Sequence, residues 1–87
     1  MDKVGEHVTL DFLGVYENHS ADFYENIFKK IAEEAKVEIV NISKYVFTPQ
    51  GVTLLCLFKE SHMSFHTFPE RGIVSCDFFT LLKQKPL

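Results

Sequence analysis

Val52-Thr53-Leu54-Leu55-Cys56-Leu57-Phe58, then Lys59-Glu60-Ser61, then His62-Met63-Ser64-Phe65-His66-Thr67-Phe68 is the stretch that decides the fold. The first segment is a near-continuous apolar run of strand length, as found in the middle of a sheet. It extends to about Lys59. The last alternates, with His62, Ser64, His66 and Phe68 against Met63, Phe65 and Thr67, which is the period of a strand. The polar Glu60-Ser61 step between them marks the reversal. A stable hairpin has no need of two serines and two histidines here, so the same stretch is read as the chemical centre of the chain.

Downstream, Pro69-Glu70-Arg71-Gly72 is a turn and Ile73 to Phe79 a further strand. Upstream, the turn Thr48-Pro49-Gln50-Gly51 closes a strand from Val37 to Phe47. In that strand Val37, Ile39 and Tyr45 share a face with Asn41 and Ser43, and Val40, Ile42 and Val46 share the other. Ser20 is an N-cap, with Asp22 and Glu25 at the positive end of the helix it starts. Phe23, Ile27, Ile31 and Ala35, joined by Tyr24, Phe28 and Ala32, give that helix an apolar face. Glu25 and Lys29 are placed on its exposed side at the favourable i, i+4 spacing. The first strand runs from His7 to Val15, half-buried, with Val8, Leu10 and Phe12 on one face and His7, Thr9, Asp11 and Leu13 on the other. Gly14 permits a bend there. The tail from Leu81 to Leu87 has no assigned partner. The order β-α-β-β-β-β predicts an α+β two-layer sandwich, a mostly antiparallel sheet with one helix packed on one face.

The chain has 87 residues, the size of one domain, residues 1–87. Hydrophobic residues make up 46%, with nine Phe and no Trp, which suggests apolar surface that meets another copy. A formal charge of −3 without a basic block excludes a nucleic-acid footprint. No apolar run approaches the ~18 residues of a membrane span. Met1-Asp2-Lys3-Val4-Gly5-Glu6 does not read as a signal peptide. Cys56 and Cys76 read as buried small hydrophobes in a reducing compartment, and a cytoplasmic setting is expected.

His62 and His66 are four apart. On a strand that is ~13 Å, too far for one metal to take both directly, and no metal site is expected. A Ser-His-Asp set could be drawn from Ser61 or Ser64 with Asp77 or Asp11, but no nucleophile elbow accompanies it. The remaining chemistry is on the backbone itself. A serine hydroxyl can attack the carbonyl before it and convert the peptide to an ester. Elimination then breaks the chain and leaves a dehydroalanine that hydrolyses to a pyruvoyl group. Such a ketone forms a Schiff base with a substrate amine and is an electron sink for decarboxylation. On residue types alone, Glu60-Ser61 reads better as an ordinary hairpin turn.

The run Gly51-Val52-Thr53, Glu60-Ser61-His62, His66-Thr67-Phe68-Pro69-Glu70, Gly72 and Asp77-Phe78-Phe79-Thr80 resembles the bacterial and archaeal S-adenosylmethionine decarboxylase proenzymes, as does the opening Gly5-Glu6-His7 to Asp11. The resemblance implies that Ser61 is the precursor of a pyruvoyl cofactor. Cleavage then falls between Glu60 and Ser61, giving residues 1–60 and 61–87. It implies that His66 assists processing and lines the adenine site, that Thr53 stands for a serine that helps processing, that Phe47 stacks on adenine and that Glu70 binds the ribose hydroxyls. It also implies a homodimer or larger homo-oligomer, with active sites at or near the interface. The family pattern continues past Phe-Thr into a cysteine that protonates the product carbon, and Leu81 stands there instead. It also continues into a further helix and strand beyond the position of Leu87, which leaves apolar surface for another copy or a larger partner. The expected function is a self-processing, pyruvoyl-dependent decarboxylase acting on S-adenosylmethionine in spermidine synthesis. Two alternatives remain: a weak or inactive paralogue that regulates a full-length decarboxylase, and a pyruvoyl-dependent arginine or ornithine decarboxylase.

Overall fold

The computed structural model describes residues 4–81. The tail from Leu82 onward lies outside the described residues, as do Met1 to Lys3. Among the described residues, five strands form one antiparallel sheet: β1 Gly5–Leu13, β2 Ile39–Val46, β3 Val52–Phe58, β4 Ser61–Phe68 and β5 Ile73–Leu81. Their spatial order is β1-β5-β4-β3-β2. One helix, α1 Ala21–Ala35, packs on one face, and a short 3-10 turn, Pro69–Arg71, joins β4 to β5. This is the two-layer arrangement expected from the sequence.

Alternation sorts the side chains between the two faces. Leu54 pairs with Phe65, Cys56 with Met63 and Phe65 with Cys76, all toward α1. Thr53 pairs with His66, Leu55 with Ser64 and Ser64 with Asp77 on the opposite, open face. The core closes where Tyr24 and Phe28 of α1 meet Phe65, with ring centroids 5.1 and 5.2 Å apart. Phe28, Leu54, Cys56 and Phe58 are fully buried.

The helix begins where its cap chemistry dictates: the Ser20 hydroxyl accepts the Phe23 N–H at 3.2 Å. It ends at Lys36, which takes the left-handed conformation at φ 56°, while the Val37 N–H donates to the Ala32 carbonyl. The buried stripe is Ala21, Tyr24, Phe28 and Ala32, and Phe23 lies outside it at 43% exposure. Glu25 is also not on a free outer face. It holds Lys29 at 3.3 Å and, across to β2, Lys44 at 3.3 Å, so it ties the helix to the sheet.

Two readings of the strands need correction. In β2 the register shifts between Ile39 and Asn41. That irregularity puts Ile39 opposite Phe58, against the core, while Asn41, Ser43 and Tyr45 lie opposite Leu57, Leu55 and Thr53 on the open face. Ile39 and Asn41 therefore do not share a face, although simple alternation says they do. β1 is not half-buried: Val8, Leu10 and Phe12 are 48, 52 and 47% exposed. One helix is ~10 Å wide and strands are ~4.8 Å apart, so a single helix covers two or three strands of five. Here it contacts β2 and β3, and its rings reach Phe65 of β4. Leu81, placed in the unpartnered tail by the sequence reading, ends β5 opposite Gly5.

Phe28→Ala is expected to cost about 3–5 kcal/mol, because it empties the contact between helix and sheet. Leu10→Ser on the uncovered flank should cost less than about 1 kcal/mol. Urea unfolding of the two variants separates these outcomes.

Candidate active site

The turn between β2 and β3 and the turn after β4 converge on the open face. Phe47 closes the first turn by donating its N–H to the Gly51 carbonyl at 2.9 Å. Gly51 has φ 100°, and a Cβ there would stand 3.1 Å from the Thr67 carbonyl oxygen, so glycine suits both the turn and the close approach. The buried Thr67 hydroxyl accepts the Val52 N–H at 2.8 Å and pins the start of β3 to the end of β4. These constraints shape a cavity of about 630 Å³ lined by Phe47, Thr53, His66, Phe68 and Glu70, among others.

Four of the residues singled out in the sequence therefore meet in one place. Thr53 Oγ1 and His66 Nδ1 are 3.2 Å apart, within hydrogen-bond reach across the β3–β4 pair. Glu70 is held at the rim by Gln50, whose Nε2 donates to Oε2 at 3.1 Å. Phe47 is 48% exposed, its ring lies edge to face with Tyr45 at 4.8 Å, and it lines the cavity as an aromatic surface for a planar ligand. An aromatic face, a carboxylate and an imidazole in one cleft suit a nucleoside: the carboxylate accepts from adjacent ribose hydroxyls and the ring stacks on the base.

Ser61 is not part of this group. It opens β4, shares parity with Met63 and Phe65 on the helix side, and stands five residues from His66. That separation is roughly 16 Å along a strand, with the two side chains on opposite faces. Within one chain, His66 does not reach the Glu60-Ser61 bond. The bond has a different neighbour: the Leu81 backbone N–H donates to the Glu60 carbonyl oxygen at 3.0 Å. The carbonyl that a Ser61 attack would convert to an oxyanion thus already holds a donor, which is the geometry that stabilises such a charge.

The open face carries a second polar group that the sequence reading did not assemble. Asp77 accepts from the buried Ser64 hydroxyl through Oδ1 and from His7 Nε2, 2.7 Å from Oδ2. The serine and the histidine touch opposite oxygens of the aspartate. No histidine stands between Ser64 and Asp77, so the group lacks the order of an acyl-transfer triad. Burial pushes the Asp77 carboxyl upward, but the Ser64 hydrogen bond, His7 and the nearby His62 outweigh it and leave the carboxyl below its ordinary range. The His62 ring stacks on Phe79 at 5.4 Å, with the His7 ring 6.2 Å away. Pairing of β1 with β5 creates this cluster, and no short motif announces that pairing.

The two thiols lie on the other face. Burial pushes Cys56 up to about 11, and burial followed by the Asp77 charge raises Cys76. Both are protonated at neutral pH, and neither faces the cavity or Leu81.

A family model described as S-adenosylmethionine decarboxylase matches residues 6–86. The S-adenosylmethionine decarboxylase proenzyme of Shouchella clausii is 35% identical over 82 residues, covering 92% of this chain and 64% of its own length. That of Brevibacillus brevis is 37% identical over 78 residues, covering 87% and 59%. That of Methanococcus maripaludis, an archaeon, is 35% identical over 83 residues, covering 92% and 67%. The crystal structure of the adenosylmethionine decarboxylase from Aquifex aeolicus superposes with a TM-score of 0.83 at 25% identity, over 95% of this chain and 70% of that one. The chain spans less than two thirds of the length of the Shouchella and Brevibacillus relatives.

Because the folded state lowers the Asp77 pKa, this carboxylate contributes stability above its unfolded pKa and loses it as pH falls through the lower folded value. Asp77→Asn should flatten the acid limb of the stability–pH curve. Denaturant midpoints measured from pH 7 down to about pH 3 check this.

Proposed function

Because this chain belongs to the S-adenosylmethionine decarboxylase family, we propose that it cuts itself between Glu60 and Ser61 and decarboxylates S-adenosylmethionine, supplying the donor for spermidine synthesis. The cavity that gathers Phe47, Thr53, His66 and Glu70 carries this reading. Arginine and ornithine have neither a base to stack nor a ribose to bind, so this lining favours the nucleoside substrate over them.

Processing starts with Ser61 Oγ attacking the Glu60 carbonyl carbon, while the Leu81 N–H holds the developing oxyanion. The amide C–N bond breaks, leaving an ester to Oγ and a free amine on Ser61. Loss of the Cα proton expels the Glu60 carboxylate, and water then releases ammonia from the dehydroalanine. The residues present fit this product: the cut falls in the turn after β3, so no pair of the β3–β4 ladder is lost. The pyruvoyl group supplies a carbonyl that binds the substrate amine and withdraws electrons from the bond that breaks. Phe47 holds the adenine, Glu70 the ribose hydroxyls, and His66, set by Thr53, moves protons. Ser61 does not reach its own chain's cavity, so the reading includes a homodimer in which a second copy brings its cavity to Ser61. A reducing, cytoplasmic setting suits the buried free thiols. Leu81 has no proton to give, so protonation of the product carbon falls to His66 or water.

Intact mass of the purified protein tests the first step. The expected result is a fragment ending at Glu60 and another starting with pyruvoyl, while Ser61→Ala remains one piece. A wild-type chain that stays uncut would overturn the proposal and favour a regulatory role.

Glu70→Gln should leave cleavage intact and raise KM for S-adenosylmethionine by roughly tenfold or more, since hydrogen bonds to a charged group contribute about 1.5–3 kcal/mol. Carbon dioxide release, measured beside arginine and ornithine, checks both the residue and the substrate.

A further inference from the structure

Three adjacent strands deliver His7, His62 and Asp77 to one spot on the open face. His7 of β1 and His62 of β4 both stand opposite Phe79 of β5, one on each side. Asp77 lies two residues along β5, on the same face and diagonal to both. One ligand atom from each of the three lies within 4.8 Å of the others. We propose that these residues bind a divalent first-row transition metal, with Zn²⁺ the best match, and that the ion clips edge strand β1 to β5 and β4.

Two imidazoles and a carboxylate form a borderline donor set that suits Zn²⁺ better than Mg²⁺ or Ca²⁺, which prefer all-oxygen shells. Donor atoms around a tetrahedral zinc are roughly 3.3 Å apart, given bonds of ~2.0–2.1 Å, so small side-chain shifts close the set onto one ion. His7 Nε2 and Asp77 Oδ2 now share a proton at 2.7 Å, and the ion takes that proton's place. The fourth position is left to water.

The surroundings of the set point the same way. Ser64 is 5% exposed, and its hydroxyl holds the other carboxylate oxygen and fixes the orientation of Asp77. Phe79 packs against both imidazoles, stacked on His62 and edge-on to His7 at 6.0 Å. In the single chain the side chains of His7 and Asp77 are 49 and 28% exposed. His66, paired with Thr53, takes no part. His62 adjoins Ser61, but Ser61 is not one of the three ligands, so the titration can be run on the uncut Ser61→Ala chain.

The test is a titration of the purified, chelator-treated full chain with Zn²⁺ against a chromophoric competitor, with Co²⁺ as the spectroscopic probe. One ion per chain is expected, with His7→Ala and His62→Ala each weakening binding at least tenfold and Ser64→Ala by roughly tenfold. Zn²⁺ should also raise the Tm of the wild type more than that of His7→Ala, because only the wild type has β1 clipped. Binding without saturation at one ion per chain, or binding unchanged in the His7→Ala, His62→Ala double variant, would overturn the proposal. If the variants do not fold, the Co²⁺ spectrum of the wild type decides. Tetrahedral visible bands without an intense thiolate charge-transfer band support the set, and a strong thiolate band moves the ion to a cysteine and overturns it.

Discussion

The pairing of Thr53 with His66 and of Leu54 with Phe65 sets the register on which both faces of the sheet depend. Side chains alternate, so a slip of β4 by one residue would carry Ser64 and His66 under α1 beside Leu54 and turn Phe65 out. Leu54 and Phe65 each gain roughly 1.5–3 kcal/mol from burial, and a buried hydroxyl or imidazole without a partner costs a further 1–3 kcal/mol or so. The alternative register thus loses on both counts. The Thr67 hydroxyl adds a local lock, since it fits the Val52 backbone only in the observed register. One packing decision accordingly fixes the core and lays the chemistry out on the open face.

The helix that enforces this register is too narrow for the whole sheet. α1 secures β2 and β3, and its aromatic rings reach β4, while β1 is held mainly by its ladder to β5. The apolar residues Val8, Leu10 and Phe12 line the uncovered flank, and next to them Met63 and Val74 help line a shallow apolar cleft of about 400 Å³. Energy is therefore unevenly spread: the β3–β4 centre is firm and the β1 edge depends on backbone hydrogen bonds. His7 sits on that weaker edge, where any additional link to β5 has most to add.

What could be read from the sequence follows from how local each signal is. Ser20, the Tyr24–Phe28–Ala32 stripe and the Pro and Gly turns act within a few residues, and the helix and reversals followed from them. The shift at Ile39 and Asn41 was not legible, because period-two reading has no place for an extra residue. The separation of Ser61 from His66 was legible in principle, because an odd offset along a strand changes face. The His7–Asp77 contact spans 70 positions and exists because β1 and β5, the first and last of the described strands, are neighbours. Local pattern carries no information about that neighbourhood. Phe47, Thr53, His66 and Glu70 were chosen by resemblance, and the β3–β4 register and two turns explain why such distant positions share a cleft.

Strand order also bears on how this fold would tolerate a broken backbone. A cut at Glu60-Ser61 would leave β1, α1, β2 and β3 on one piece and β4 and β5 on the other. In the sheet, β5 and β4 lie between β1 on one side and β3 on the other. The smaller piece would thus be held along both edges by ladders to the larger, and Phe65, Val74 and Cys76 would keep it in the core. A terminal pair of strands would have only one such ladder and would be far easier to lose. Separation would require breaking two sets of strand pairing and exposing the Phe28–Phe65 contact at once, so the central placement of β4 and β5 makes the Glu60-Ser61 turn a point where the chain can open without the domain coming apart.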